Sequence, residues 1–324
     1  MTKFIRALTF LAVVTAAATS LVATSLSATA ATPEEAYIAA RDAAIAKVKA
    51  MDKAATDKAA TDKNATDKAN PASTTADEDA TLAFEEKART ALAVPMRAII
   101  GPVAIKGLEG EGEINLESLY EGDEGFGVLD GLVYGPVDGK TRVLVTTDGL
   151  LAHWLKNEWV RDTPDLPQDP VVVVKMDTFY TQAVQTDAAI MRFAELPVRK
   201  PAGAAFAFAM LDARSQDDAP HKADEVFVAV AQGGRVYIGY TREFKAVGPI
   251  PSCDKVRDDL VKKSAAAAKE PGLSDDARDK KSEALSAKAE TEFLSCFAAK
   301  APQQNGFAGA AAAAQALIDR LPLH

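Results

Sequence analysis

Apolar positions along the 324-residue chain change their period several times, and each change marks a different element. The first run, Phe10 to Val22, is unbroken Leu, Val and Ala with small polar residues, preceded by Lys3 and Arg6 and followed by Ala28-Thr29-Ala30. That order reads as a secretory signal peptide covering residues 1–30. The run is shorter than the roughly 20 apolar residues a membrane span needs, and no Cys follows it to accept a lipid.

A sparse helical face comes next. Thr32-Pro33-Glu34-Glu35 carries the helix-start signature: Thr32 as N-cap, Pro33 at N1 and Glu35 closing a capping box. Tyr37, Ile38, Ala44, Ile45, Val48 and Met51 supply the apolar positions. The pattern then gives way to DKAAT-type repeats from Asp52 to Pro71. A period of five smears residue types around a helix that turns every ~3.6 residues, so no stripe forms. Residues 31–81 are therefore expected to be a helical or disordered arm, with its charge facing solvent and a flexible link at Pro71 to Asp79. A Lys-rich arm that binds the cell wall or a polyanion is the competing reading.

From residue 82 the pattern predicts a central α+β domain reaching to residue 250. Leu82 to Ala93 reads as a short amphipathic helix ended by Pro95. Beyond it, β-branched residues alternate between turn dipeptides. Asp138-Gly139 and Gly233-Gly234 each lie between apolar runs and predict hairpins, Val133–Val137 with Thr141–Thr147 and Val226–Ala231 with Val236–Thr241. Asp148-Gly149 predicts a turn into a further strand, Leu150–Leu155. Val171–Met176 and Ala205–Leu211 read as strands, the latter with Phe206, Phe208 and Met210 on one face. Thr178 to Leu196 reads as a helix.

The last zones return to helical spacing. Cys253–Lys269 and Ser274–Ala298 are charged, Ala-rich helices broken at Pro271-Gly272, with Ser274 as N-cap and Asp275 and Asp276 in the first turn. They make a hairpin over residues 251–300, its seam drawn from Val256, Leu260, Leu285 and Phe293. Residues 301–324 hold a final helix, Asn305–Leu321, whose Phe307, Ala314, Leu317, Ile318 and Leu321 share a face suited to docking on the sheet.

Composition changes this picture in two ways. Only two cysteines exist, Cys253 and Cys296, at opposite ends of the expected hairpin. Antiparallel helices bring those ends together, and export supplies an oxidising compartment, so a structural disulfide is expected. A redox pair would sit closer in sequence. The arms on either side of Gly272 are unequal, and extended chain near Pro251 would absorb the difference. Charge is the second change. Loss of Lys3 and Arg6 with the leader leaves 35 basic residues against 46 acidic, moving the formal charge from −9 to −11. An acidic surface disfavours nucleic acid and anionic lipid as partners.

Candidate chemistry is thin. His153, Trp154 and Trp159 are the only aromatic concentration beside a titratable group, suited to a sugar or peptide, although a core or edge packing role is the commoner use of tryptophan. Between Gly107 and Gly131 lie eight carboxylates, of which Glu121, Asp123 and Asp130 are the candidate Ca²⁺ ligands. Their spacing departs from the EF-hand pattern, and a solvated turn explains them as well. No nucleophile elbow, phosphate loop or His-based zinc spacing is present, and no cofactor is implied. The sequence therefore predicts an exported binding or scaffolding protein with an envelope component as its partner. The periplasm is its expected compartment and the extracellular space the alternative. The competing function is a periplasmic hydrolase or other enzyme using carboxylates of the acidic loop or His153.

Overall fold

The computed structural model describes residues 31–62, 72–116, 119, 129–136, 139–154, 193–213, 224–248 and 250–323. Helix α1, Pro33–Asp62, opens with the expected capping box. Thr32 N–H donates to Glu35 Oε2 at 2.7 Å and Glu35 N–H returns to Thr32 Oγ1 at 3.2 Å. Helix α2, Ala72–Ile100, packs against α1. It departs from the sequence reading at both ends. Residues 72–79, expected as a flexible link, are helical, and Pro95 lies inside the helix rather than stopping it. An internal proline costs about 3 kcal/mol. Burial of Met96 and Ile100 beyond it, at about 1.5–3 kcal/mol each, offsets that cost and carries the helix one more turn.

Among the described residues, seven strands form one antiparallel sheet: β1 Glu113–Ile114, β2 Leu132–Tyr134, β3 Thr141–Thr147, β4 Phe193–Leu196, β5 Phe206–Asp212, β6 Glu225–Gln232 and β7 Arg235–Thr241. Their order across the sheet is β1-β2-β3-β7-β6-β5-β4. Both expected strand pairs are present; the Gly233-Gly234 hairpin matches its expected strands, while β2 is shorter than the expected strand Val133–Val137, whose Val137 and the following Asp138 lie outside the described residues. β2 pairs with β3 through Val133 and Leu144, and β6 with β7 through Gln232 and Arg235. Gly233 and Gly234 have φ of 61° and 78°, the left-handed pair that a two-residue turn matching strand twist requires.

Two other readings are corrected. The segment after Asp148-Gly149 is not a strand but helix α3, Asp148–Trp154. Thr147 Oγ1 accepts from the Leu150 N–H at 3.2 Å, so the polar residues before Leu150 cap a helix instead of turning a hairpin. Phe193–Leu196, expected as the end of a helix, is edge strand β4. The rest of Thr178–Leu196, and the strand expected at Val171–Met176, lie outside the described residues.

The sheet is apolar on both sides. Along β6, seven successive residues from Glu225 to Ala231 are buried. Val226, Val228 and Val230 face the larger core with Val143, Val145 and Tyr237, while Phe227 and Ala229 face a second core with Leu144, Ile238 and Phe208. The first face is covered by α2 and by the last helix, numbered α6 below.

The C-terminal part is helical as anticipated. α4 (Pro251–Ala267) and α5 (Asp275–Lys300) form a hairpin, and α6 (Phe307–Ile318) follows a 3₁₀ turn at Ala301–Gln303. Ser274 caps α5 by accepting from the Ala277 N–H at 3.3 Å. Gly272, at φ 87°, allows the turn between the arms. Pro251 starts α4 as an N1 proline, so the unequal arms are reconciled by the non-helical turn 268–274, not by extended chain at Pro251. α6 lies on the sheet, where Gly239 leaves room for it: a Cβ there would stand 3.2 Å from Leu317 Cδ2.

Cys253 and Cys296 are bonded, with their Cα atoms 5.6 Å apart. Cys253 belongs to the main core beside Phe293 and Phe297. The sequence separation is 43 residues, and a cross-link of that span is worth about 4 kcal/mol by the chain-entropy account. Reduction, or the Cys253→Ser/Cys296→Ser pair, is therefore expected to lower unfolding free energy by about that amount. Thermal melts with and without reductant, followed by circular dichroism, check it; coincident melts would refute the clamp.

Candidate functional site

Polar side chains converge at four places among the described residues, and each has a distinct structural origin. The deepest is between α1 and the loop before β2. Tyr37 and Arg41 are one helical turn apart, so they share a face of α1. Both reach one oxygen: Tyr37 Oη donates to Asp130 Oδ1 at 2.9 Å and Arg41 Nε donates to it at 2.8 Å. Arg41 is 1% exposed and Asp130 5%. The loop is fixed from its other side by Asn115, whose N–H donates to Gly131 O at 3.0 Å and whose Nδ2 donates to Leu129 O at 2.9 Å. Gly131 cannot be enlarged, because a Cβ would lie 2.6 Å from Val145 O. Charge, hydroxyl and carboxylate are arranged here to hold α1 on the domain.

A second cluster lies at the β3–β7–β6 end of the sheet. Arg242 Nε donates to Glu225 Oε1 at 2.5 Å, and its guanidinium lies 5.7 Å from the Tyr240 ring centroid. Asp224 Oδ2 accepts from the Val247 N–H at 2.8 Å, and the Thr141 and Thr241 hydroxyls are 2.9 Å apart across the strands. These contacts fix the chain as it leaves β7 for α4.

The third cluster is beneath the C-terminus of α2. Arg235 Nε donates to Ile100 O at 2.9 Å, satisfying a terminal carbonyl and complementing the helix dipole. Tyr134 lies in this neighbourhood. Burial pushes its hydroxyl above the ordinary tyrosine value of 10.0, with Arg235 and Arg97 pulling it down and Tyr237 adding to the rise. Gly112 allows the ring this position, since a Cβ there would meet the Tyr134 Cζ at 2.8 Å.

The fourth is a cavity of about 280 Å³ where α2 passes edge strand β1. Glu85 and Arg89 of α2, Glu113 of β1 and Arg142 of β3 supply its charges, and Ile114, Leu116 and Val133 its apolar wall. Arg89 Nη1 stands 3.4 Å from Glu113 Oε2. Two further depressions are more open: about 410 Å³ between Arg199–Pro201 and the end of α6, and about 450 Å³ beside β4 and Phe307. The depression at Arg199–Pro201 also pairs charges of both signs, Arg199 and Lys200 with Asp319, with buried Ile318 and Leu321, but it is the more open of the two; the more enclosed α2–β1 cavity is the candidate for ligand binding.

Of the residues singled out from sequence, Asp130 is placed in the buried Arg41–Tyr37 cluster. His153 is in the last turn of α3, partly buried, and Trp154 ends that helix. Trp159, Glu121 and Asp123 lie outside the described residues. Among the described residues no group of three or more His, Cys, Asp or Glu side chains could hold a metal ion. The sequence reading missed the cavity residues Glu85, Arg89 and Arg142, which are dispersed over nearly sixty positions and carry no spacing signal; Glu113 was seen only as one member of an acidic run. Comparisons with protein-family models, curated proteins and solved structures find no match.

Two measurements check these assignments. Replacement Asp130→Ala removes the carboxylate facing the buried Arg41, and urea unfolding is expected to show a loss of about 3–5 kcal/mol; a loss below about 1 kcal/mol would contradict the anchor role. Tyr134 is expected to ionise above pH 10.0. Because its folded value exceeds the unfolded one, its contribution to stability is intact below pH 10.0 and declines as pH rises through the folded value. The difference in ultraviolet absorbance titration between the native chain and Tyr134→Phe reads that value directly.

Proposed function

We propose that this chain is an exported protein of the cell envelope, of binding or scaffolding type, that works in the periplasm after losing residues 1–30. The observation carrying this reading is the Cys253–Cys296 disulfide, which joins the two arms of the helical hairpin at the domain core. A bond with that structural placement belongs to an oxidising compartment. The basic, apolar and small-residue order of the first thirty residues supplies the route there. No helix among the described residues is long and apolar enough to cross a membrane.

Binding or scaffolding is favoured over catalysis by how the polar groups are used. Arg41 and Asp130, Glu225 and Arg242, and Asp224 with the Val247 N–H are committed to holding elements together. None presents a nucleophile with an oriented base, the arrangement that covalent or general-base chemistry requires.

Expression in a bacterial host followed by fractionation tests the reading. The expected product is periplasmic, begins immediately after Ala30, and has no thiol free to alkylate without reduction. A full-length, reduced chain retained in the cytoplasm would overturn it.

A further inference from the structure

We infer that the cavity between α2 and β1 is a site for a small zwitterion, an α-amino acid or dipeptide with an apolar side chain. The inference rests on the binding reading above and gives it a ligand class. The first argument is the distribution of charge. Arg142 projects from β3, a strand bonded on both sides, by β2 and by β7. Its Nε is buried, so the stem is held by the sheet while the head lines the cavity. A guanidinium held in this way matches the planar, two-oxygen geometry of a carboxylate.

Glu113 and Glu85 provide the opposite sign within the same cavity. Arg89 meets Glu113 across the rim at 3.4 Å, with side-chain exposures of 39% and 76%. A long pair in solvent is weakly held. An incoming ammonium can take Glu113 and release Arg89 toward the ligand carboxylate, so the rim charges are exchanged rather than stripped of partners. Leu116, Ile114 and Val133, all buried, form the apolar wall against which a side chain would pack.

Size narrows the class further. A cavity of about 280 Å³ is at the lower end of the roughly 300–1,000 Å³ typical of ligand sites. It accommodates an amino acid or dipeptide and excludes a long chain. Neither a simple anion nor a simple cation uses the whole lining, since each would face a like charge.

Isothermal titration of the processed, oxidised chain tests this. The probes are L-leucine, leucyl-leucine, N-acetyl-leucine and leucinamide, the first two separating a free amino acid from a peptide. Saturable binding of leucine or leucyl-leucine is expected, at least tenfold weaker for the two blocked forms. Glu113→Gln and Arg142→Gln are each expected to weaken it at least tenfold. Glu113 is exposed, so its variant should melt with the parent and remains decisive if Arg142→Gln does not fold. Absence of heat with both zwitterions, equal affinity for the blocked forms, or binding unchanged by Glu113→Gln overturns the inference. A chain that is exported and oxidised yet binds neither probe defeats the ligand assignment alone. A chain retained reduced in the cytoplasm defeats the envelope reading whatever it binds.

Discussion

A sheet with two apolar faces needs a cover on each side, and the rest of this structure follows from that requirement. β6 has no polar face to present to water, because its buried residues alternate between two cores without interruption. Antiparallel sheets commonly leave one face solvated, and this one does not. Met96 and Ile100 on α2 and Leu317 and Ile318 on α6 answer the first face. Leu151 of α3 contributes to the second. The same demand explains why α2 runs through a proline: its last turn carries side chains that the sheet must bury.

Covering a sheet also fixes where charge can go. Arg41 is almost fully enclosed, and its burial is tolerated because Asp130 and Tyr37 meet at one carboxylate oxygen. A buried pair of this kind contributes little over an apolar replacement, yet losing one partner is costly. Its value is positional. It selects one register of α1 against the loop that leads into β2, which an Ala-rich helix with few large apolar residues does not specify through packing alone.

Local chemistry was legible in the sequence, and contacts between distant segments were not. The Thr32–Glu35 box, the Gly233-Gly234 hairpin, the Ser274 cap and the packed face of the last helix are all decided within a few residues, and each is present as read. Cys253 and Cys296 could be paired because the chain holds only two. The errors have the same origin. Asp148-Gly149 has hairpin chemistry, but Thr147 beside it offers a cap, and the helix results. Pro95 breaks a helix by local rules, and burial beyond it decides otherwise. Asp130 read as one of many acidic loop residues, because nothing near it reveals Arg41, 89 positions away. The charged cavity was illegible for the same reason: its four charged residues come from three elements.

The position of the disulfide relative to the sheet has one more consequence. β4 is one of the two edge strands of the sheet, opposite β1, and α5 packs against it. Phe293 of α5 turns toward one core and Leu294 toward the other, so the helix straddles the sheet's margin. An uncovered margin is a template on which other chains can add strands. By tying α5 to α4 at Cys296, the bond keeps that margin shielded. The staple is thus also a safeguard against aggregation: with the bond closed, the helix that shields the β4 margin is held in place, and that margin is kept from pairing with neighbouring chains.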